Sequence, residues 1–180
     1  MANIAIYTFN SDTDTLPVFN EGYEYSYTDV INNDDTTTTR TITSDSLPTS
    51  ISFQGCTGLV SLSYLDTSGL TSMNSMFEEC DSLISIDCIF DTSNITNMNR
   101  MFYGCGNILS IKGIDTWDVS NVNTMAEMFY NSGIKSVNLT GWDTGNVTNM
   151  HSMFGICSDL ASIYGLNTWD TSIKNTIYGY

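Results

Sequence analysis

The stretch "MNRMFYGC", Met98 to Cys105, has three near copies elsewhere in the chain: "MNSMFEEC" from Met73, "MAEMFYNS" from Met125 and "MHSMFGIC" from Met150. Eight of the nine methionines fall inside this one pattern. Its Met-Phe pairs lie at 76–77, 101–102, 128–129 and 153–154, in steps of 25, 27 and 25. A second marker keeps the same rhythm. "LDTSG" from Leu65, "FDTSN" from Phe90, "WDVSN" from Trp117, "WDTGN" from Trp142 and "WDTSI" from Trp169 place aspartates at 66, 91, 118, 143 and 170. Two markers in step define a structural repeat, and a repeat must be read before any single element.

Four full units result, 66–90, 91–117, 118–142 and 143–169, with a half unit before them and a fragment after. Within "SNITNMNRMF" the apolar Ile95, Met98, Met101 and Phe102 stand three or four apart, one face of a short helix. The Ser, Thr and Asn just ahead suit a helix cap. In "GCGNILSIKG", Ile108 and Ile111 alternate with Ser110 and Lys112, which reads as a short strand. One unit cannot bury its apolar face alone, but stacked units can. The expected fold is an α/β repeat solenoid, leucine-rich-repeat-like and right-handed. Each unit holds a short helix and a short strand, and a parallel sheet forms one face, with strands near 83–88, 108–112, 134–139 and 160–164.

"FDTSNITNMNRMFYGCGNILSI" and "WDTGNVTNMHSMFGICSDLASI" resemble the BspA-like leucine-rich repeats of bacterial surface proteins. The repeats also resemble those of phage tail proteins. The resemblance covers roughly 47–172. It implies a leucine-rich-repeat-like fold and a role in adhesion or recognition at cell surfaces, and it brings no catalytic residue. Departures are local. Ser132 replaces the cysteine in the third full unit, one residue is missing after it, and two units carry the insertions "GID" and "GLN".

The repeated residues read as scaffold. Met76, Met101, Met128 and Met153 form one ladder, Met73, Met98, Met125 and Met150 another, and Phe77, Phe102, Phe129 and Phe154 a third. Flexible thioethers fill gaps between imperfectly matched turns. Cys56, Cys80, Cys105 and Cys157 share a slot with Ser132, and Cys88 stands apart. That odd set is no disulfide framework, and free buried thiols are expected. Asp66, Asp91, Asp118 and Asp143, with Asp170, would stack in register and repel one another unless each carboxylate accepts hydrogen bonds from its own turn. Calcium between rungs is the alternative. No zinc or EF-hand spacing occurs, no cofactor is implied, and the single histidine, His151, sits at an outward position.

Residues 1–46 break the repeat. "NIAIYTF", "YEYSYTDV" and "TTTTRTIT" alternate or are rich in β-branched residues, with "NNDD" as a hairpin turn. This segment is expected to be a small N-terminal β element that caps the first rung, docks the protein to a larger assembly, or both. Residues 173–180 would form a C-terminal capping tail. With 1–46 removed, the array of 47–172 is expected to stay folded.

Twenty acidic residues against five basic ones, net charge −15, exclude nucleic acid and anionic membranes as partners. The start has neither a basic leader nor a long apolar run, so no signal peptide or membrane insertion is expected. No nucleophile–base pair, phosphate loop or metal constellation is visible, so the expected function is recognition rather than catalysis. Uniform outward positions serve the scaffold, whereas variable ones can carry recognition. In the strand the next outward slot after the serines varies: Asp87, Lys112, Asn138 and Tyr164. These four are the candidate recognition face, for a protein or glycan on a cell surface. Residues 1–46 would contact other subunits or further copies of the chain. Without an export signal, the setting expected is the surface of a phage tail or similar particle. A secreted or anchored bacterial adhesin is the second reading and a purely structural virion protein the third.

Overall fold

The Met-Phe segments are turns, not helices. The computed structural model describes residues 1–13, 16–33, 36–169 and 177. Among them there is no α-helix, only two three-residue 3-10 turns, Ile114–Thr116 and Leu166–Thr168. The expected α/β repeat solenoid with a helix in every unit is therefore incorrect: the described structure is built almost wholly of β-strands and turns.

Backbone angles show why. The residue before the second methionine is left-handed in every copy: Ser75 at φ 54°, Arg100 at 54°, Glu127 at 56° and Ser152 at 50°. Four residues on, the chain turns left-handed again, at Glu79, Gly104, Asn131 and Ile156. No α-helix survives a left-handed residue every fourth position. The hydrogen bonds follow. Alternate N–H groups donate across to the next rung, Met73 to Asn97 O (2.9 Å), Ser75 to Asn99 O (2.9 Å), Phe77 to Met101 O (2.9 Å) and Glu79 to Tyr103 O (2.8 Å). Those between them close back three residues, as Met76 does to Met73 O (3.3 Å) and Cys80 to Phe77 O (3.2 Å). Neighbouring rungs satisfy the backbone that a helix would have satisfied internally.

The same pattern repeats from rung to rung. Phe102 donates to Met128 O and Phe129 to Met153 O, both at 2.8 Å. Phe53, Phe77, Phe102, Phe129 and Phe154 stack in a column with centroids 5.3–5.5 Å apart. Tyr7 meets the near end of that column, edge-on to Phe53 at 5.2 Å. Phe90, Trp117, Trp142 and Trp169 make a second column at 5.6–6.1 Å. All eight repeat methionines are buried, as a core-filling role requires.

The described residues form ten strands: β1 (Ala2–Asn10), β2 (Val18–Phe19), β3 (Ser26–Ile31), β4 (Thr37–Ser44), β5 (Ile51–Ser52), β6 (Leu59–Leu65), β7 (Ser85–Ile86), β8 (Ser110–Ile111), β9 (Ser136–Asn138) and β10 (Ser162–Tyr164). The main sheet runs β3-β4-β1-β6-β7-β8. Its first half is antiparallel, with β1 paired to β4 and to β6 and β3 paired to β4. From β6 onward it is parallel, with Ser61, Ser85 and Ser110 in register. Strands β9 and β10 form a separate parallel pair, and β2 pairs with β5.

Residues 1–46 thus share a sheet with the first rung. They also share its core, since Ile4, Tyr7, Phe9 and Ile42 belong to the same buried cluster as Phe53, Leu59 and Leu62. The expected "NNDD" turn joins β3 and β4, although Asp34 and Asp35 lie outside the described residues, as do Asp170 and all but Ile177 of the 173–180 tail.

Candidate functional site

Three columns of side chains run across the strand face. The serine column is Ser61, Ser85, Ser110, Ser136 and Ser162. Beside it lies Val60, Ile84, Leu109, Lys135 and Ala161, of which Ile84 is 45 % and Leu109 53 % exposed. On the other side stand the four candidate recognition residues, Asp87, Lys112, Asn138 and Tyr164, all exposed.

These four do not form one continuous row. Asp87 and Lys112 follow β7 and β8, where Lys112 N–H donates to Ile86 O at 2.8 Å and Asp87 N–H to Leu62 O at 2.8 Å. Asn138 and Tyr164 are register partners in the separate β9–β10 pair. The ladder is broken between the two patches. The cause is the residue missing after Ser132. Eight positions separate Phe77 from Ser85, Phe102 from Ser110 and Phe154 from Ser162, but only seven separate Phe129 from Ser136. The shorter turn draws Gly133 against Gly106, so closely that a Cβ there would lie 2.1 Å from the Gly106 carbonyl oxygen. The irregularity was visible in the sequence, and its effect on the sheet was not.

A groove of about 540 Å³ follows the apolar column past Val60, Ile84 and Leu109 to Lys135. A smaller cleft of about 310 Å³ opens at the ladder break, between Leu109–Ile111 on one side and Ile134 with Ser136–Asn138 on the other.

The scaffold ladders are held locally. Asp66, Asp91 and Asp118 each accept two bonds at Oδ1, from the N–H (3.0–3.1 Å) and hydroxyl (2.6–2.7 Å) of the serine two residues on. Asp143 accepts the Gly145 N–H at 3.0 Å. The Ser93 hydroxyl lowers the Asp91 carboxyl from its ordinary pKa, and the Ser120 hydroxyl does the same for Asp118. Each carboxylate is occupied by its own turn, so the like charges are tolerated. Among the described residues no three His, Cys, Asp or Glu side chains are grouped to hold a metal ion.

The cysteines are free thiols. Their sulfurs reach one rung back: Cys80 donates to Phe53 O (3.1 Å), Cys105 to Phe77 O (2.9 Å) and Cys157 to Phe129 O (2.8 Å). Burial pushes the Cys105 thiol up to about 12, which makes it a poor nucleophile. His151 Nε2 lies 3.2 Å from the Ser152 hydroxyl, a pairing that sequence spacing did not reveal. Ser152 is 5 % exposed, so the arrangement offers no open nucleophile.

The turn side carries its own polar row. Arg100 bridges Glu78 at 3.2 Å and Glu127 at 2.6 Å, and Gln54 donates to Glu78 at 3.1 Å. The Arg100 guanidinium lies over the Tyr103 ring at 4.6 Å, and Tyr103 stacks on Tyr130 at 5.1 Å. The strand-face residues are exposed but also partly engaged, since Asp87 accepts the Ser85 hydroxyl at 2.8 Å and Asn138 the Thr140 N–H at 3.1 Å.

A family model described as "Mycoplasma protein of unknown function, DUF285" matches residues 49–163 and again 107–178. No curated protein and no solved structure matches the chain.

Proposed function

The chain belongs to the DUF285 family, and we propose that it is a non-catalytic recognition module whose strand face binds a protein or glycan on a cell surface. The observation that carries this reading is the contrast within that face. A uniform serine column is flanked by exposed positions whose chemistry changes at every rung, from Asp87 to Lys112 to Asn138 to Tyr164. Stacked rungs hold these side chains on short strands, so little order must be gained on binding. In the setting the repeats suggest, a BspA-like array displayed on a phage tail or similar particle, the N-terminal strands attach the module and the strand face reads the host. A family described from a Mycoplasma protein favours a second reading, an adhesin on the bacterial surface itself.

The test is retention of fluorescently labelled protein on a panel of bacterial cells. Replacing Lys112 and Tyr164 together with Ala should sharply reduce retention, while stability changes by less than about 0.5 kcal/mol, as expected of exposed sites. Full retention by the double variant, with loss on changing Arg100 or Tyr130, would move recognition to the turn side. Antibody labelling by electron microscopy separates the settings, because label on free particles supports the tail component and label on cells the adhesin.

A further inference from the structure

Strands β8 and β9 are parted in the middle and fastened at both ends. At one end Gly133 N–H donates to Cys105 O at 3.0 Å. At the other, Trp142 Nε1–H donates to Ile114 O at 2.8 Å. Between these ties, the two bonds that join β7 to β8, Leu109 N–H to Ile84 O and Lys112 N–H to Ile86 O, have no counterpart. By repeat position the corresponding groups are the N–H of Lys135 with Leu109 O and the N–H of Asn138 with Ile111 O, and neither pair is bonded. Of these, Asn138 on one wall and Leu109 and Ile111 on the other border a cleft of about 310 Å³. Its floor is apolar, since Ile134 and Val137 are only 2 % and 4 % exposed. Its rim carries the Asp115 carboxylate and the Asn138 side chain, whose Oδ1 is engaged with Thr140 N–H and whose NH2 is left to donate.

We propose that this cleft binds the acetamido group of a neutral N-acetylhexosamine. The inference rests on the strand face being the recognition surface. An acetamido group supplies what the cleft lacks. Its N–H donates to a β8 carbonyl, its carbonyl accepts from a β9 N–H, and its methyl covers the Ile134–Val137 floor. Sugar hydroxyls then donate to Asp115. The cleft volume lies at the small end of ligand pockets, as a single sugar residue requires. A chain of net charge −15 disfavours anionic sugars, so the ligand is neutral.

The experiment is an amide NMR titration of the full chain with N,N′-diacetylchitobiose, with cellobiose and N-acetylalanine N′-methylamide as comparison probes. The Val137 and Asn138 amide signals should move with diacetylchitobiose and stay in place with cellobiose. Asp115→Ala, at an exposed position, should weaken binding about tenfold by removing one charge-assisted hydrogen bond. Inserting one serine between Ser132 and Gly133 restores the eight-residue spacing. It should zip β8 to β9 and abolish the response in a chain that still melts cooperatively. No shift at the Val137 and Asn138 amides, an equal response to the peptide probe, or binding retained by the insertion variant would each overturn the proposal. A chain that ignores diacetylchitobiose yet needs Lys112 and Tyr164 to hold cells loses the sugar site and keeps the recognition face.

Discussion

Ile156 sits where its side chain is least welcome. It is β-branched, 57 % exposed and left-handed at φ 56°. The equivalent slot holds Gly104 in one rung and Asn131 in another, residues that accept this geometry. Left-handed backbone costs a β-branched residue about 1–3 kcal/mol, and glycine forfeits about 0.5–1 kcal/mol of chain entropy in return. Ile156→Gly should therefore raise stability by about 1 kcal/mol, read as a higher urea midpoint; an unchanged or lower midpoint would contradict the assigned strain. The cysteines make a second residue-scale test. Burial pushes Cys56 and Cys88 up to about 11 and Cys105 to about 12, against 9.0 for a free thiol, with Cys80 raised further. Raised folded-state values keep these thiols protonated while the unfolded chain ionises. Their contribution is complete below pH 9 and is lost as pH climbs from 9 toward 12. The urea midpoint should fall across that range, and less steeply in Cys105→Ser, because serine already fills the slot at Ser132. Iodoacetamide should spare Cys80 and Cys105 in the native protein at pH 8 and modify all five thiols in urea; a disulfide-linked pair in the urea sample would refute the free-thiol ladder.

Each unit shows which parts of the element were legible in sequence. Spacing of three and four among Ile95, Met98, Met101 and Phe102 marks a buried face correctly, yet it fits turns of four residues as well as helical turns. The choice between them depends on where the N–H groups find acceptors. Those acceptors lie on a rung about 25 residues away, beyond the reach of any local window. One local signal was present: Gly104 and Asn131 occupy the left-handed slot. The aspartate turns were legible because Asp91 and Ser93 settle their bonding within three residues. The strand positions were also close, with Ser110–Ile111 inside 108–112 and Ser136–Asn138 inside 134–139. Repeat order did not reveal that the deletion after Ser132 would part the sheet. The Trp column tests this account. Trp142 Nε1 donates to Ile114 O, while Trp117 Nε1 is buried without a partner among the described residues. Phe90 shows that phenylalanine fits the same slot. Trp142→Phe leaves the Ile114 carbonyl with only the long Trp117 N–H bond (3.4 Å) and should cost about 1 kcal/mol more than Trp117→Phe, which discards an unsatisfied donor. Equal thermal shifts for the two would mean that the Trp142 bond does not tie the cleft's end.

At the scale of the whole molecule, the N-terminal strands are part of the repeat array's own core. Strand β1 is hydrogen-bonded along β6, and Tyr7 stands at the head of the phenylalanine column against Phe53. Sequence reading separates 1–46 from the array because no repeat marker crosses that boundary, and it expects the array to survive alone. Packing argues the opposite. Without β1 and β4, the buried Phe53, Leu59 and Leu62 lose their cover on one side, and β6 presents a row of unpaired N–H and C=O groups. Such an edge is a template for association with other chains. Burying one side chain of this size contributes about 1.5–3 kcal/mol, so the loss of Ile4, Tyr7, Phe9 and Ile42 together rivals the net stability of a small domain. A chain truncated to 47–180 should accordingly elute as aggregate in size-exclusion chromatography and lose the near-ultraviolet circular dichroism of its stacked aromatics. Point changes on the outer edge of β3, such as Val30→Lys or Ile31→Glu, should leave the fold intact, since Val30 and Ile31 are exposed and only β4 pairs with that strand. A monodisperse truncated chain that melts within a few degrees of the intact protein would restore 1–46 as a detachable docking element and remove it from the core.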